Sequence, residues 1–304
     1  MDILIVGGSG HVSGTLARMA IRAGHSVWTV TRGERPITEG VRSLIADRHI
    51  HGAMEACVSD QQMIWDLVID CICFDLEDIR QDIDLFRDRA RHFVMISTDF
   101  VYDPVLRTFP QTEESSHFVV ETDGIMAYGG KKRQCEEALE SISTNHMAWT
   151  ILRPCHIYGP TSRLGCLPHH GRDPELIKRL KEGEALNLVG GGYFLQQPVL
   201  AEDLSLTILS VAGASKVHGM TLNVAGPDVI ESWEYYRIIA DALNEKLEIE
   251  ETPVRAYLES NPRSAPFLCH RTYDLDRLIG SGLYVPDTPI ADGLRYHVSG
   301  LRNG

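Results

Sequence analysis

Apolar residues in the first half of the chain fall in short blocks, and longer stretches with apolar residues at every third or fourth position separate them. The blocks are rich in Val and Ile and too short for helices, so they predict strands buried on both faces. The longer stretches predict amphipathic helices. The predicted strands cover 3–6, 26–31, 43–46, 67–73, 92–97 and 148–152, and the main helices between them cover 12–23, 76–89 and 130–143.

This alternation predicts an α/β fold with a doubly wound parallel (Rossmann) sheet and helices on both of its faces. We expect residues 1–160 to form a dinucleotide-binding domain, to which 197–226 return with a strand, a helix and another strand. After residue 160 the chain is richer in Gly, Pro and His, and helices are predicted near 174–182 and over 232–243. Residues 161–304 are therefore expected to form a smaller, partly interleaved substrate-binding lobe.

A glycine-rich turn joins the first predicted strand to the first predicted helix. Gly7 and Gly10 allow the backbone to turn tightly and to approach a ligand closely. The free amides at a helix N-terminus favour an anion, and a pyrophosphate is the usual one. Ser13 stands where a third glycine of this pattern would fall, and it is small enough to keep helix and strand close. The order strand, turn and helix indicates a dinucleotide site. Its candidate residues here are Gly7, Ser9, Gly10, His11 and Val12.

The residues after the next strands bear on the choice of cofactor. Thr31 and Arg32 end the second strand, where NAD would need a carboxylate for its ribose hydroxyl. A guanidinium suits a 2′-phosphate, so NADP is favoured over NAD, although Arg32 could instead stack on adenine or face water. Asp47, at the end of the third strand, either contacts the adenine amino group or caps the turn into the next helix. Cys71, in the fourth predicted strand, is a further candidate for binding the cofactor.

Composition narrows the possible partners and the cellular location. The 304 residues carry a formal net charge of −13, which disfavours nucleic acid and anionic membranes as partners. No apolar stretch approaches the ~20 residues needed to cross a bilayer. The seven scattered cysteines are typical of reduced thiols in a cytoplasmic protein. No metal site is expected, because Cys71 and Cys73 are too close in sequence and Cys166, His169 and His170 lack a second ligand pair.

Three residues suggest acid–base chemistry. Tyr128 and Lys132 are four residues apart at the start of a predicted helix, so both project from one face. An ammonium beside a phenol favours the phenolate, which makes the pair a general acid/base for a hydroxyl proton during hydride transfer. Thr98 follows the fifth strand, at the sheet edge where α/β proteins bind ligands, and could orient a substrate oxygen. A Ser-Thr-Asp run is also common as a simple strand-end turn.

Together these motifs resemble the extended short-chain dehydrogenase/reductase family, also called the NAD-dependent epimerase/dehydratase family. The matching segments, in family order, are the glycine turn, Ser97-Thr-Asp-Phe-Val-Tyr102, Tyr128-Gly-Gly-Lys-Lys132 and Arg153-Pro-Cys-His-Ile-Tyr-Gly-Pro160, with weaker matches at 198–204, 222–226 and 274–278. The resemblance implies Tyr128 as the acid/base, Lys132 as the cation beside it and a ribose ligand, and Thr98 as the substrate-orienting hydroxyl. It also implies that Pro154 to Ile157 line the nicotinamide side, and that the second lobe binds a small molecule, commonly a nucleotide-linked sugar. Homodimers are common in this family.

The resemblance leaves the reaction open. Family 4,6-dehydratases carry Thr-Asp-Glu after the fifth strand, and Phe100 stands here in place of the glutamate, which disfavours that activity. The run from Ser97 to Asp103 looks like 4-ketoreductases of deoxysugar nucleotides, whereas the segments from Tyr128 and Arg153 look like epimerases. We therefore expect an NAD(P)-dependent oxidoreductase or epimerase acting at a secondary alcohol or ketone of a nucleotide-linked sugar. The alternatives are an NADPH-dependent 4-ketoreductase and a non-catalytic relative, similar to plastid members that bind RNA, which the Thr/Tyr/Lys set and the acidic charge disfavour.

Substrate contacts are predicted less specifically than the catalytic residues. The candidates are Asp99, Phe100, His156 and Arg271. Arg271, together with Arg163, Arg172 and Arg277, could contact a diphosphate or lie at the surface as an ordinary arginine.

Overall fold

A parallel sheet of seven strands forms the centre of the molecule. The computed structural model describes residues 1–114, 117–143, 145, 147–168 and 173–302, so the predictions for His169, His170 and Arg172 lie outside the described residues. Six strands come from the first half: β1 Asp2–Val6, β2 Ser26–Thr31, β3 Arg42–Ile45, β4 Leu67–Asp70, β5 Phe93–Ile96 and β6 Trp149–Pro154.

Four helices connect these strands and cover both faces of the sheet: α1 His11–Arg22, α2 Ala53–Ser59, α3 Leu76–Phe86 and α4 Ala127–Glu140. In β1, Ile3 and Ile5 join the core on one face of the sheet, and Leu4 and Val6 join the core on the other. All four side chains are fully buried, which explains why the strand reads as a continuous apolar block.

The second half of the chain both returns to the sheet and builds a small lobe. Its elements are β7 Ile157–Tyr158, α5 Leu176–Glu182, β8 Leu186–Val189, β9 Leu195–Gln196, β10 Val199–Leu200, α6 Ala201–Ser210, β11 Met220–Val224, β12 Ile230–Glu231, α7 Ser232–Leu243, β13 Ile249–Thr252, α8 Val254–Ser260, α9 Asp276–Ser281 and α10 Ile290–Arg302. β11 pairs with β6, which gives the sheet the order β11-β6-β5-β4-β1-β2-β3, and α6 packs against α1. A third core beneath α5, α7 and α10 belongs to the small lobe.

The predicted doubly wound α/β fold is confirmed, whereas several element boundaries and small elements differ. The strand predicted over 67–73 ends at Asp70, because the Asp70 carboxylate accepts a hydrogen bond from the amide of Ile72 and turns the chain. Helix α4 begins three residues before its predicted start. The hydrophobic pattern did not predict α2, β8, β13, α8, α9 or α10.

Helix α10 contains two glycines, which usually disfavour a helix, and packing explains them. A Cβ atom added at Gly293 would lie 2.0 Å from the hydroxyl of Tyr158, and one at Gly300 would lie 2.5 Å from Pro160. The glycines therefore allow α10 to pack directly on the segment that follows β6. None of the helices in the described residues is long and apolar enough to span a membrane.

A buried histidine lies at the edge of the sheet opposite the ligand-binding edge. His92 is 1% exposed, and its Nε2 lies 2.8 Å from the hydroxyl of Thr150. The ring of His218 packs edge-on against it, with 4.7 Å between ring centroids. Burial, together with the neighbouring His218, lowers the pKa of His92 to about 4.

We predict that this histidine makes the free energy of unfolding depend on pH. Below pH 6.5 the unfolded chain binds a proton at His92 that the folded protein does not bind until about pH 4, so stability falls as pH decreases through this range. Between pH 7 and 4.5 this loss should amount to about 2.5 kcal/mol. Urea unfolding at both pH values gives the loss in free energy of unfolding for the wild type and for His92→Gln. The difference between these two losses is the contribution of His92. Equal pH dependence in both would contradict the prediction.

Candidate functional site

The turn between β1 and α1 depends on glycine at two positions. Gly7 has a φ of 102° and Gly8 a φ of 144°, in the region that favours glycine. A Cβ atom at Gly8 would also lie 2.7 Å from the side chain of Thr29. Gly10, in contrast, has a φ of −84° and caps α1 with ordinary backbone geometry. The tight turn is therefore made by Gly7 and Gly8, and not by Gly7 and Gly10 as the sequence suggested.

Ser13 takes the structural place of a third glycine. Its hydroxyl oxygen accepts hydrogen bonds from the amides of Gly8, at 3.0 Å, and of Gly10, at 3.1 Å. The serine thus holds the turn from inside while its small side chain keeps α1 close to β1.

A groove of about 650 Å³ runs from this turn along the carboxyl ends of β1, β2, β3 and β4. It brings together most of the predicted cofactor residues. They are Gly7, Ser9, Gly10, His11, Val12, Arg32, Asp47, Cys71 and Ile157. A nicotinamide dinucleotide fits this groove, because the glycine turn leaves room for close approach and α1 directs its N-terminus towards it.

Two predicted cofactor residues already have partners in the groove. Arg32 pairs with Glu34 at 2.9 Å, and both side chains are 60% exposed, so the pair is weak and can open for a ligand. The Asp47 carboxylate accepts a hydrogen bond of 3.0 Å from the amide of His49, which is the turn-capping alternative. Its contact with adenine stays a prediction.

Sequence reasoning missed the buried ion cluster behind the groove. The guanidinium of Arg48 lies 2.6 Å from Asp70, 2.9 Å from Asp78 and 3.1 Å from Asp82. Burial, with the charge of Asp70, raises the pKa of Asp82 well above its usual range, which favours the protonated form of this carboxyl. Arg48 also donates to the carbonyl of Ile72 and so fixes the floor of the groove.

The same cluster includes three potential metal ligands. Ligand atoms of Asp70, Cys73 and Asp82 lie within 4.8 Å of one another. Arg48 supplies the positive charge at this point, and a hydrogen bond with Cys135, together with burial, raises the pKa of the Cys73 thiol. We therefore assign the cluster a structural role. No local pattern in the sequence signals it, because its members come from separate elements of the fold.

A second cavity of about 290 Å³ adjoins the groove. It brings together the three residues predicted for catalysis, the four main candidates for substrate contact and the cofactor candidate Pro154. They are Thr98, Asp99, Phe100, Tyr128, Lys132, Pro154, His156 and Arg271. Val12, Cys71 and Ile157 line both cavities, so a ligand that fills the groove can extend one end into the second cavity.

Two glycines bring α4 close to the loop after β5. A Cβ atom at Gly129 would lie 2.1 Å from the carbonyl oxygen of Phe100, and one at Gly130 would lie 1.9 Å from that of Glu121. Tyr128, immediately before them, is 45% exposed, and its ring centroid lies 6.2 Å from that of Phe100. Close backbone packing therefore determines where the tyrosine lies.

Lys132 and Thr98 are both fixed to the end of β5. The buried ammonium of Lys132 donates a hydrogen bond of 2.7 Å to the carbonyl of Ile96. The hydroxyl oxygen of Thr98 accepts from the amide of Phe100 at 3.2 Å and caps the 3₁₀ turn Asp99–Val101. Thr98 is thus part of a strand-end turn and also lines the cavity. The effect of Lys132 on Tyr128 stays a prediction.

Asp99 and Arg271 are bound to each other. Arg271 is only 3% exposed and donates to Oδ2 of Asp99, which also accepts from Arg107 at 3.2 Å and from Tyr273 at 2.6 Å. Burial opposes ionisation of Asp99, but Arg271 and Arg107 outweigh it and hold its pKa below the ordinary value. The alternative that Arg271 is an ordinary surface arginine is therefore wrong.

The other predicted substrate residues lie in different settings. His156 lines the cavity with its ring edge-on to Tyr235 of the small lobe, 6.1 Å away. Arg163 is exposed, and Arg277 pairs with Glu114 at 2.5 Å. Neither arginine lines the two cavities described above.

A buried ion pair that sequence reasoning missed attaches α4 to the sheet. Glu136 accepts hydrogen bonds from Arg153 at 2.8 and 2.9 Å and from Ser97 at 2.6 Å. Arg153 also donates to the hydroxyl of Tyr102 at 3.0 Å. One signal was available in the sequence: Glu136 follows Lys132 by four residues and therefore lies on the same face of the helix.

Comparison with protein families and curated proteins identifies related sequences. Residues 76–225 match the model of the NAD dependent epimerase/dehydratase family. A chloroplast stem-loop binding protein of 41 kDa from Arabidopsis thaliana is 25% identical over 241 residues, which cover 74% of this chain. The match covers only 58% of that protein's length.

Solved structures with the same fold cover nearly the whole chain. An epimerase from Methanothermobacter thermautotrophicus has a TM-score of 0.81 at 14% identity, covering 99% of this chain and 92% of the other. The UDP-N-acetylglucosamine 4-epimerase of Methanobrevibacter ruminantium, in complex with UDP-N-acetylmuramic acid, has a TM-score of 0.78 at 16% identity, covering 99% and 98%. The UDP-glucose 4-epimerase of Thermus thermophilus, in complex with NAD, has a TM-score of 0.74 at 16% identity and covers both chains completely.

The close approach of α4 predicts that Gly130→Ala is destabilising. Its methyl group would overlap the Glu121 carbonyl, and relieving this overlap by moving backbone should cost about 1–3 kcal/mol in the free energy of unfolding. Gly280→Ala is the matched control, because that helical glycine has open space around it and alanine favours a helix by up to ~1 kcal/mol. Urea unfolding measures both variants. A Gly130→Ala protein as stable as Gly280→Ala would show that α4 does not depend on this contact.

Proposed function

The chain belongs to the NAD dependent epimerase/dehydratase family, and from that premise we propose that it oxidises, reduces or epimerises a secondary alcohol or ketone. The observation that carries the proposal is that Thr98, Tyr128 and Lys132 line one cavity, which shares its walls with the dinucleotide groove. The reacting carbon of a substrate in this cavity would lie beside the end of a cofactor bound in the groove.

In this proposal the protein's own residues handle the proton. When bound, the nicotinamide cofactor supplies the hydride acceptor or donor. Tyr128 takes the hydroxyl proton as an alcohol is oxidised, or gives it to the carbonyl oxygen as a ketone is reduced. Lys132, whose ammonium donates to the Ile96 carbonyl, places a positive charge in the same cavity as Tyr128. Thr98 accepts a hydrogen bond from the backbone, which leaves its hydroxyl proton for the substrate oxygen.

The proposed substrate is a nucleotide-linked sugar. Its support comes from solved structures with the same fold, of which one is an epimerase in complex with UDP-N-acetylmuramic acid and another is a UDP-glucose 4-epimerase. Within the cavity, Asp99 is ionised and can therefore only accept hydrogen bonds, for instance from a substrate hydroxyl. Phe100 has no acidic group, which disfavours the elimination step of a dehydratase.

Epimerisation and reduction differ in how the cofactor is held. An epimerase restores its cofactor in each cycle and can retain it, whereas a 4-ketoreductase must release NADP⁺ and bind a new NADPH after each turnover. Mass spectrometry of the nucleotide released on denaturing the purified protein distinguishes them. Retained NAD⁺ favours the epimerase, and an empty site favours the ketoreductase.

RNA binding is the second candidate, because the curated relative is named as a stem-loop binding protein. The net charge of −13 opposes it, since phosphates are repelled at long range. Cofactor binding without turnover on any ketone or sugar nucleotide, together with RNA binding that persists above ~200 mM salt, would favour this candidate over the enzyme.

For the enzyme, we predict that Tyr128→Phe lowers kcat by at least ~10²-fold while cofactor affinity is unchanged, because only the transferable proton is lost. On a panel of sugar nucleotides and ketones, NAD(P)H absorbance measures oxidation or reduction, and chromatography of the products measures epimerisation. NAD(P)H fluorescence measures cofactor binding. Tyr296→Phe is the matched control, since Tyr296 is 46% exposed but lies on α10, outside both cavities. Full activity in Tyr128→Phe would exclude Tyr128 as the acid/base.

For the cofactor, we propose that Arg32 leaves Glu34 to bind a 2′-phosphate, which favours NADP over NAD. Arg32→Ala should then weaken NADP(H) binding by ~1.5–3 kcal/mol and leave NAD(H) binding nearly unchanged. Glu34→Gln is the complementary variant, because it frees Arg32 and should strengthen NADP(H) binding. Titration followed by fluorescence measures the affinity of each cofactor for the wild type and for both variants. Equal losses for both cofactors in Arg32→Ala would mean that Arg32 contacts adenine instead.

A further inference from the structure

A short segment from the last part of the chain is inserted beside the catalytic cavity. The amide of Arg271 donates to the carbonyl of Leu195 at 2.8 Å, and the amide of Gln111 donates to the carbonyl of Thr272 at the same distance. Backbone hydrogen bonds therefore hold this segment, residues 271–273, from both sides: by β9 of the small lobe and by the loop that follows β5.

Both long side chains of the segment reach Asp99. Arg271 and Tyr273 donate to Oδ2, as does Arg107 from the other side. Among the described residues, every side-chain donor to this carboxylate uses Oδ2, and none uses Oδ1. Because Asp99 is a buried charge, its position depends on keeping these partners.

The Arg271 guanidinium also contacts the residue after Asp99. It lies 4.6 Å from the centroid of the Phe100 ring, within the range of a cation–π contact. The same ring packs edge-on against Tyr128 on one side and against Phe267 on another. Arg271 thus contacts both Asp99 and Phe100, the two residues that follow Thr98. Phe100 in turn contacts Tyr128.

We propose that Arg271 is a positioning residue, which holds the turn Asp99–Val101 so that Thr98 and Tyr128 face one cavity. The site is then complete only while residues 271–273 are docked against Asp99. The consequence for turnover rests on the proposed function, whereas the consequence for the turn does not.

Three variants test this inference. Arg271→Met removes the charge and all the side-chain hydrogen bonds, Arg271→Lys keeps the charge without the planar guanidinium, and Arg277→Met is the control. Arg277 lies nearby but forms its ion pair with Glu114, outside the cavity. The readouts are hydrogen exchange of the amides at 98–102, kcat and KM on the sugar-nucleotide and ketone panel, and cofactor affinity.

In Arg271→Met, exchange at 98–102 should rise about tenfold or more while the amides of β1 keep their protection, because only the turn is released. If the panel gives turnover, kcat should fall about tenfold or more with cofactor affinity unchanged, as expected for misplaced catalytic groups. In Arg271→Lys, the rise in exchange and the fall in kcat should both be smaller than in Arg271→Met. This variant tests the inference if Arg271→Met does not fold. Arg277→Met should behave as the wild type.

Unchanged exchange at 98–102 in folded Arg271→Met would overturn the inference. If Arg271→Met does not fold, the same amides exchanging at the same rate in Arg271→Lys as in Arg277→Met would also overturn it. Unchanged kcat in Arg271→Met would overturn the inference while the proposed function stands. Faster exchange at 98–102 in Arg271→Met, together with a wild type that turns over no substrate of the panel, would refute the proposed function. Arg271 would then still be the residue that holds the turn.

Discussion

The ion pair between Glu136 and Arg153 is the interaction on which the geometry of the site depends. Glu136 is fully buried in α4, so its charge requires a partner, and Arg153 of β6 provides one with two hydrogen bonds. Burial opposes ionisation of Glu136, but Arg153 and Ser97 outweigh it and hold the pKa of this carboxyl below its ordinary value. Loss of Glu136 would leave the buried charge of Arg153 without a carboxylate partner among the described residues, at a cost of about 3–5 kcal/mol.

The start and the middle of α4 are held by opposite means. At its start, Gly129 and Gly130 have no side chains, so backbone packs on backbone and Tyr128 reaches the loop after β5. Further along, Lys132 and Glu136 bind polar groups at the end of β5 and in β6. Close contact without side chains sets the distance between helix and sheet, and the charged groups then fix its position along the strands.

Local patterns were enough to predict the sheet, the order of strand, glycine turn and helix at its start, and the common helix face of Tyr128 and Lys132. Each of these depends on neighbours in sequence, such as the four-residue spacing of a helix face or the order strand, turn and helix. Arg48 with its three aspartates, and Arg271 with Asp99, could not be predicted, because their partners are brought together only by the tertiary fold. Helix α10 escaped prediction for a related reason: its glycines match Tyr158 and Pro160, which lie far away in sequence.

The contact of Asp99 with Arg271 spans 172 positions along the chain, and the hydrogen bond from Tyr102 to Asn223 spans 121. Contacts of such high sequence separation carry a large loop-closure entropy and usually form late in folding. On a ribosome, the first six strands emerge well before the seventh, and the Asp99 carboxylate emerges long before Arg271 and Tyr273. The cavity walls that surround Thr98 and Tyr128 are therefore among the last parts of this protein to be assembled during its synthesis.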